Sequence, residues 1–190
     1  MIWPEPRRQE DLWMGFVSKG RNKYQSGGLQ HLKIRQIREE VGEEVFDGCY
    51  KFALIRNPVD RIVSQFNYLN KREDLLGLLE LDRFRTFSQY LSHIQEVEHV
   101  QWTPQVDFLE NQQGVIVPEL FRLEELSDKF ERLAIKTGLK VVTPLHSNKS
   151  LDSSVPPDWV IIRKENINKN DLETIRKIYA QDFDRLSYCV

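Results

Sequence analysis

Long hydrophobic runs are absent from this sequence. No stretch approaches the roughly 20 apolar residues that a membrane-spanning helix needs, and the amino terminus has no apolar core of a secretory signal. The chain therefore reads as soluble, with the cytoplasm as its expected place. Cysteine is nearly absent too: Cys49 and Cys189 are the two among 190 residues. Two thiols build no disulfide framework; Cys49, just before an apolar run, reads as a buried thiol and Cys189 as a tail residue. These two and the four histidines fall at no spacing that a metal site uses, so no metal is expected. There is no excess of positive charge. A formal net charge of −2 argues against a strongly basic nucleic-acid binder, while leaving room for a local basic cleft. Internal repeats and low-complexity tracts are missing, and so is a Gly-x-x-x-x-Gly-Lys-Ser/Thr phosphate loop. Without that lysine and a magnesium-binding pair, a kinase-like enzyme is a weak reading.

What is present is the composition of an ordinary globular protein, 40% hydrophobic and 29% charged, long enough for one domain with a sizeable core. Residues 1–28 are irregular, although Trp3, Trp13 and Phe16 are too apolar for a disordered tail and predict docking on the body. Leu29 to Val41 reads as a helix ended by Gly42, and Phe52 to Ile55 as a strand. A helix follows from Pro58, and Thr86 to Val97 is a second amphipathic helix. Val115 to Leu123 suits a strand interrupted by Pro118, which hints at an edge or bulge. Leu126 to Ala134 belongs to a helix ended by Gly138. Leu139 to Val142 is a short strand, Ser147 to Asp158 a loop, and Asp171 to Tyr188 the final helix. Strands alternating with helices predict one α/β domain over 1–190, with a mostly parallel central sheet flanked by helices.

The most informative stretch runs from Lys51 to Ser64. The short apolar run Phe52 to Ile55, bounded by a turn signal, suits a strand covered on both faces. Asn57 is a good N-cap, Pro58 fits the first helical position, and Asp60 stands where a capping-box carboxylate would. Ile62, Val63, Phe66 and Leu69 then mark an apolar stripe. A strand's carboxyl end meeting a helix amino terminus favours a bound anion. Arg56 adds a guanidinium suited to bidentate phosphate binding, and Ser64 a hydroxyl donor. The plainer alternative is that Arg56 pairs with a surface carboxylate and Ser64 sits on a solvated face.

This segment resembles the 3′-phosphate-binding element of sulfotransferases that use 3′-phosphoadenosine 5′-phosphosulfate, especially the carbohydrate sulfotransferase branch. There an apolar strand leads into Arg-Asp/Asn-Pro, then an arginine and a serine on the following helix; here these are Arg56, Asn57, Pro58, Arg61 and Ser64. Downstream, Gln101-Trp102-Thr103-Pro104-Gln105 is similar to a Trp-x-Pro-Gln segment, and Phe121 to Leu126 to the strand-to-helix step that follows. His146-Ser147-Asn148-Lys149-Ser150 resembles a His-x-Asn-x-Ser loop, and Ile178 to Phe183 the closing helix. The resemblance implies a fold like that of P-loop nucleotide-binding proteins, with Arg56 and Ser64 on the 3′-phosphate and Asn148 and Ser150 as further donor contacts. It also implies a nucleotide sulfate donor and a hydroxyl-bearing acceptor, a carbohydrate by that branch. His99, Trp102 and Gln105 would line the acceptor side. Trp102 suits either stacking on a sugar or adenine ring or plain packing.

The family also places a Pro-Lys-x-Gly-Ser/Thr-Ser/Thr loop between its first strand and helix, and nothing in Met1 to Tyr50 matches it. The expectation is a chain lacking that first strand and loop, with little sulfotransferase activity as it stands and with Phe52 and Leu54 left uncovered. A non-catalytic remnant that binds a nucleotide or a partner is the alternative. Relatives in the secretory pathway carry an upstream membrane anchor; one preceding this sequence would move it to a membrane or that pathway. Sulfuryl transfer needs a base for the acceptor hydroxyl. His31, upstream of Arg56 where several carbohydrate sulfotransferases place a histidine, is the first choice, with a helix-start role as its alternative. His93 reads as solvated, and no metal is implied, because Lys, Arg and backbone donors supply the charge stabilisation.

Overall fold

A computed structural model of the protein describes residues 31–78, 82–138 and 160–189. In chain order its elements are α1 (Ile34–Val41), α2 (Glu43–Gly48), β1 (Phe52–Ile55), α3 (Pro58–Asn70), α4 (Glu73–Leu78), α5 (Phe87–Glu96), α6 (Val106–Leu109), β2 (Glu119–Arg122), α7 (Leu126–Thr137), α8 (Lys169–Ile178) and α9 (Ala180–Arg185). β1 and β2 pair as a short parallel sheet, the one sheet among the described residues. The α/β class expected from the sequence is therefore seen, its sheet represented by two strands. The expected strand at Leu139–Val142, the loop at Ser147–Asp158 and the irregular 1–28 segment lie outside the described residues. No described helix is long and apolar enough to cross a membrane. Contacts divide the chain into two compact units, Met1–Phe52 with Gln105–Glu119, and Ala53–Pro104 with Leu120–Val190.

The second unit is organised around α3. Asn57 caps it, its side chain accepting from Val59 N–H at 2.9 Å, and Pro58 occupies the first turn, where no backbone donor is needed. Its stripe of Val59, Ile62, Val63, Phe66 and Leu69 is buried with Phe87, Tyr90, Leu91 and Ile94 of α5 and with Ile175, Tyr179 and Phe183 near the carboxyl end. The rings meet edge-on, Phe66 to Phe87 at 5.2 Å between centroids. Two buried asparagines close the far end of the helix onto loops. Asn67 donates to Ile162 C=O at 2.8 Å and accepts from Ile162 N–H at 3.0 Å. Asn70, 1% exposed, makes the same exchange with Phe84, at 3.2 Å in each direction. A primary amide can pair both backbone groups of one residue, which is why an asparagine is tolerated there without leaving a buried group unsatisfied. α5 is tied to α8 by Ser88 Oγ, which donates to the Asp171 carboxylate at 2.8 Å.

The first unit holds α1, α2, α6 and a tight turn at 110–116. Glu110 and Ile116 form an antiparallel bridge, and Asn111 Oδ1 accepts from Gln113 and Val115 N–H. Gly114 adopts φ 71°, the left-handed conformation that this turn requires and that glycine takes without strain. Lys51 lies over the Phe46 ring at 4.7 Å and donates to the Phe46 and Cys49 carbonyls.

Several expectations need correction. The first helix begins at Ile34 rather than Leu29, although Gly42 ends it as expected, at φ 82°. Cys49 is exposed, not buried. β1 is not covered on both faces: Phe52 is 38% and Leu54 49% exposed, while Ile55 is buried. The second strand starts after Pro118, which has no N–H to give to a ladder. The final helix is broken into α8 and α9 at Tyr179, whose hydroxyl donates to Trp102 C=O at 2.9 Å. The α7 stop at Gly138, in a left-handed C-cap with φ 70°, agrees with the sequence.

Candidate functional site

The carboxyl end of β1 delivers Arg56 directly into the Asn57 cap of α3. Ser64 lies in the second turn of that helix, about 9 Å along its axis from Pro58 at 1.5 Å per residue. Both are half-buried. Asp60 is on the first turn, a favourable place for a carboxylate beside the positive end of the helix. Its partner is Lys164 at 3.0 Å, so it serves as an ion-pair partner in addition to any capping role. An ion pair this exposed adds little stability, but it places a lysine at this end of α3. Arg56, the amino terminus of α3 and the Ser64 hydroxyl follow one another along one short stretch of chain, and Lys164 is brought to the same helix from 104 residues away, donors of the kind an anionic ligand uses.

The same end of the sheet holds a group of residues that the sequence did not single out. Asn57 N–H donates to Glu124 Oε1 at 2.6 Å. The other oxygen of that carboxylate accepts from the Tyr188 hydroxyl at 3.1 Å. Arg122, the last residue of β2, stacks on the Tyr188 ring at 4.7 Å and donates to the Ser187 carbonyl at 2.6 Å. The Asn57 amide reaches Cys189 C=O at 3.4 Å. Burial first, and the neighbouring Glu124 carboxylate second, push the Tyr188 hydroxyl far above the usual phenol range, so it is a donor at any physiological pH. The signal for Arg122 and Glu124 was their place at the end of a strand and just past it; nothing local marks Tyr188, because its partner is distant in sequence.

The Trp102 segment is gripped by α3 as well. Gln65 donates to the Gln101 side chain at 2.8 Å, and Arg61 to the Gln101 carbonyl at 3.4 Å. His99 Nδ1 accepts from Gln101 N–H at 3.2 Å, and its carbonyl takes the Thr103 hydroxyl at 3.0 Å. Trp102 is 5% exposed; its indole N–H donates to Val97 C=O at 2.6 Å, and its ring meets Tyr90, His93 and His99. Its place is thus the packed core. His93 is corrected likewise: it is half-buried against Phe84 and Trp102, with no hydrogen-bond partner for Nε2 among the described residues.

His31 and Gln105 belong to the first unit. His31 stands in a helical turn before α1 and is half-buried, and burial holds its imidazole below the ordinary histidine value of 6.5. Its neutral form, the one able to accept a proton, therefore dominates at neutral pH. Gln105 precedes α6, its carbonyl accepting from Phe108 N–H. A cleft of about 410 Å3 in this unit is lined by Arg35, Arg38, Glu43, Asp47, Lys51 and Gln113, among others. Its charges are mixed in sign, and Arg38 pairs with Glu43. Asn148 and Ser150 lie outside the described residues, as do residues 1–30 of the Met1 to Tyr50 stretch that has no match to the phosphosulfate loop.

The profile of the sulfotransferase family matches residues 18–189. Neither a curated protein nor a solved structure matches the chain. The match spans almost the whole sequence, both compact units included, and the chain belongs to the sulfotransferase family.

Proposed function

We propose that the protein transfers the sulfuryl group of 3′-phosphoadenosine 5′-phosphosulfate to a hydroxyl of a carbohydrate, on a fold of the P-loop nucleotide-binding type. The observation that carries this reading is the Arg56–Asn57–Pro58 turn, joining β1 to a capped α3 that bears Ser64, in a chain of this family. In the proposed reaction the acceptor oxygen attacks sulfur and forms a new S–O bond. The bond from sulfur to the 5′-phosphate oxygen breaks, and that oxygen keeps the electron pair. The hydroxyl proton passes to His31, and the products are a sulfate ester and adenosine 3′,5′-bisphosphate.

Arg56 and Ser64 are assigned to the 3′-phosphate, remote from the reacting sulfur, where they bind and orient the donor and leave the chemistry to other groups. Asn148 and Ser150 are proposed as further donor contacts, and His99 and Gln105 as residues on the acceptor side. The test is transfer of label from sulfur-labelled donor to a panel of neutral oligosaccharides, simple alcohols and phenols. Labelled sugar ester, at low turnover, is the expected product. Transfer to phenols alone would overturn the acceptor class, and failure to bind the donor at all would overturn the reading.

A further inference from the structure

We infer that Glu124, held by Tyr188, is a positioning residue for the Arg56–Asn57 turn, and that the last residues of the chain thereby set the affinity for a 3′-phosphate. The inference rests on the proposed donor site at Arg56 and Ser64. Glu124 is bound through both of its oxygens, one to the backbone N–H of Asn57 and the other to the Tyr188 hydroxyl. Asn57 is both the cap of α3 and the residue directly after Arg56, so whatever fixes its backbone also fixes the direction in which the guanidinium leaves the strand. A backbone N–H given to a carboxylate is a charge-assisted bond, stronger than a neutral one.

The clasp is built from the chain terminus. Arg122 Cζ lies over the Tyr188 ring at 4.7 Å, and its Nη2 donates to the Leu186 and Ser187 carbonyls at 3.3 and 2.6 Å. Ser187 sits at φ 55°, a left-handed conformation unusual outside glycine. The turn brings Tyr188 back toward Glu124. Glu124 is exposed and Tyr188 half-buried, so the tyrosine acts by directing the carboxylate through a charge-assisted hydrogen bond.

A carboxylate at a helix amino terminus admits an opposite role, as an internal anion that a phosphate must overcome, and the test separates the two. Calorimetry on the full chain measures adenosine 3′,5′-bisphosphate and adenosine 5′-monophosphate binding to the parent protein and to Glu124→Ala, Glu124→Gln and Tyr188→Phe. A positioning role predicts bisphosphate affinity about tenfold weaker in Glu124→Ala, the scale of one charge-assisted hydrogen bond. Monophosphate affinity should stay unchanged in the same variant. Glu124→Gln, which keeps an acceptor for Asn57 N–H, should recover most of the loss, and Tyr188→Phe should lose about threefold, the scale of a weaker hydrogen bond. Melting curves exclude a variant that has simply unfolded. Tighter bisphosphate binding in Glu124→Ala, equal loss for both nucleotides, or no change would each overturn the inference. A parent protein that does not prefer the bisphosphate would instead overturn the donor-site reading on which it rests.

Discussion

Helix α3 and helix α1 each follow a residue assigned to the reaction, yet they are built differently. α3 runs from Pro58 to Asn70 and buries Pro58, Val59, Ile62, Val63, Phe66, Asn67, Leu69 and Asn70. α1 runs from Ile34 to Val41 and buries Ile34 alone. Arg56 therefore leaves a strand and enters a helix anchored along one entire face, whereas His31 precedes a short helix with one buried residue. Preorganised binding of a charged ligand calls for the first kind of support, because each immobilised donor has its ordering cost met before the ligand arrives. A proton acceptor must be neutral as well as within reach, and half-burial favours the neutral imidazole of His31.

The comparison can be sharpened by experiments of decreasing size. In any form of the protein with measurable turnover, replacing His31 by alanine should lower that turnover by roughly 10²- to 10⁴-fold, the range for a lost general base, with nucleotide affinity nearly unchanged. Steady-state kinetics alongside calorimetry measures this, and a parallel loss of affinity would show that His31 acts on binding. Phe66→Ala should destabilise the protein by about 3–5 kcal/mol in urea unfolding, because it empties the centre of the aromatic cluster. Val45→Ala, on the exposed side of α2, should change stability by less than about 0.5 kcal/mol. Similar costs for the two would remove the contrast between the buried face of α3 and this exposed face. Asn57→Ala should lose about 1 kcal/mol through the missing cap, checked by the same unfolding assay.

The smallest effect is one of pH. The folded His31 pKa is depressed, so the unfolded chain binds more protons around the ordinary value of 6.5. Its contribution to stability is present above that value and falls away as pH drops toward and through the lowered one. Thermal melting between pH 7.5 and 5 should show this fall, reduced in His31→Gln.

Local chemistry explains which parts could be read from the chain alone. The Asn57 cap, Pro58, and the stripe from Val59 to Leu69 are specified within a few residues of each other, and the structure places them as read. The stops at Gly42 and Gly138 were equally visible, since each needs a positive φ. What escaped depends on residues far apart in sequence. The break at Tyr179 comes with a hydroxyl reaching Trp102, and the polar pairings of Asn67 and Asn70 are made with backbone at 162 and 84. Periodicity carries no trace of such contacts. Cys49 was read as buried because it adjoins an apolar strand, but adjacency does not decide which face a residue takes. Of the site, Arg56 and Ser64 were legible as a motif, while the Glu124–Tyr188 clasp needed the chain terminus brought back to the turn.

The central claim is that Arg56 and Ser64 hold a 3′-phosphate, and calorimetry with two nucleotides tests it most directly. The parent chain should bind adenosine 3′,5′-bisphosphate more tightly than adenosine 5′-monophosphate. Arg56→Ala should weaken bisphosphate binding by at least about tenfold, as one charged hydrogen bond is worth about 1.5–3 kcal/mol. Equal affinity for the two nucleotides in the parent protein, or bisphosphate binding indifferent to Arg56→Ala, would contradict the account.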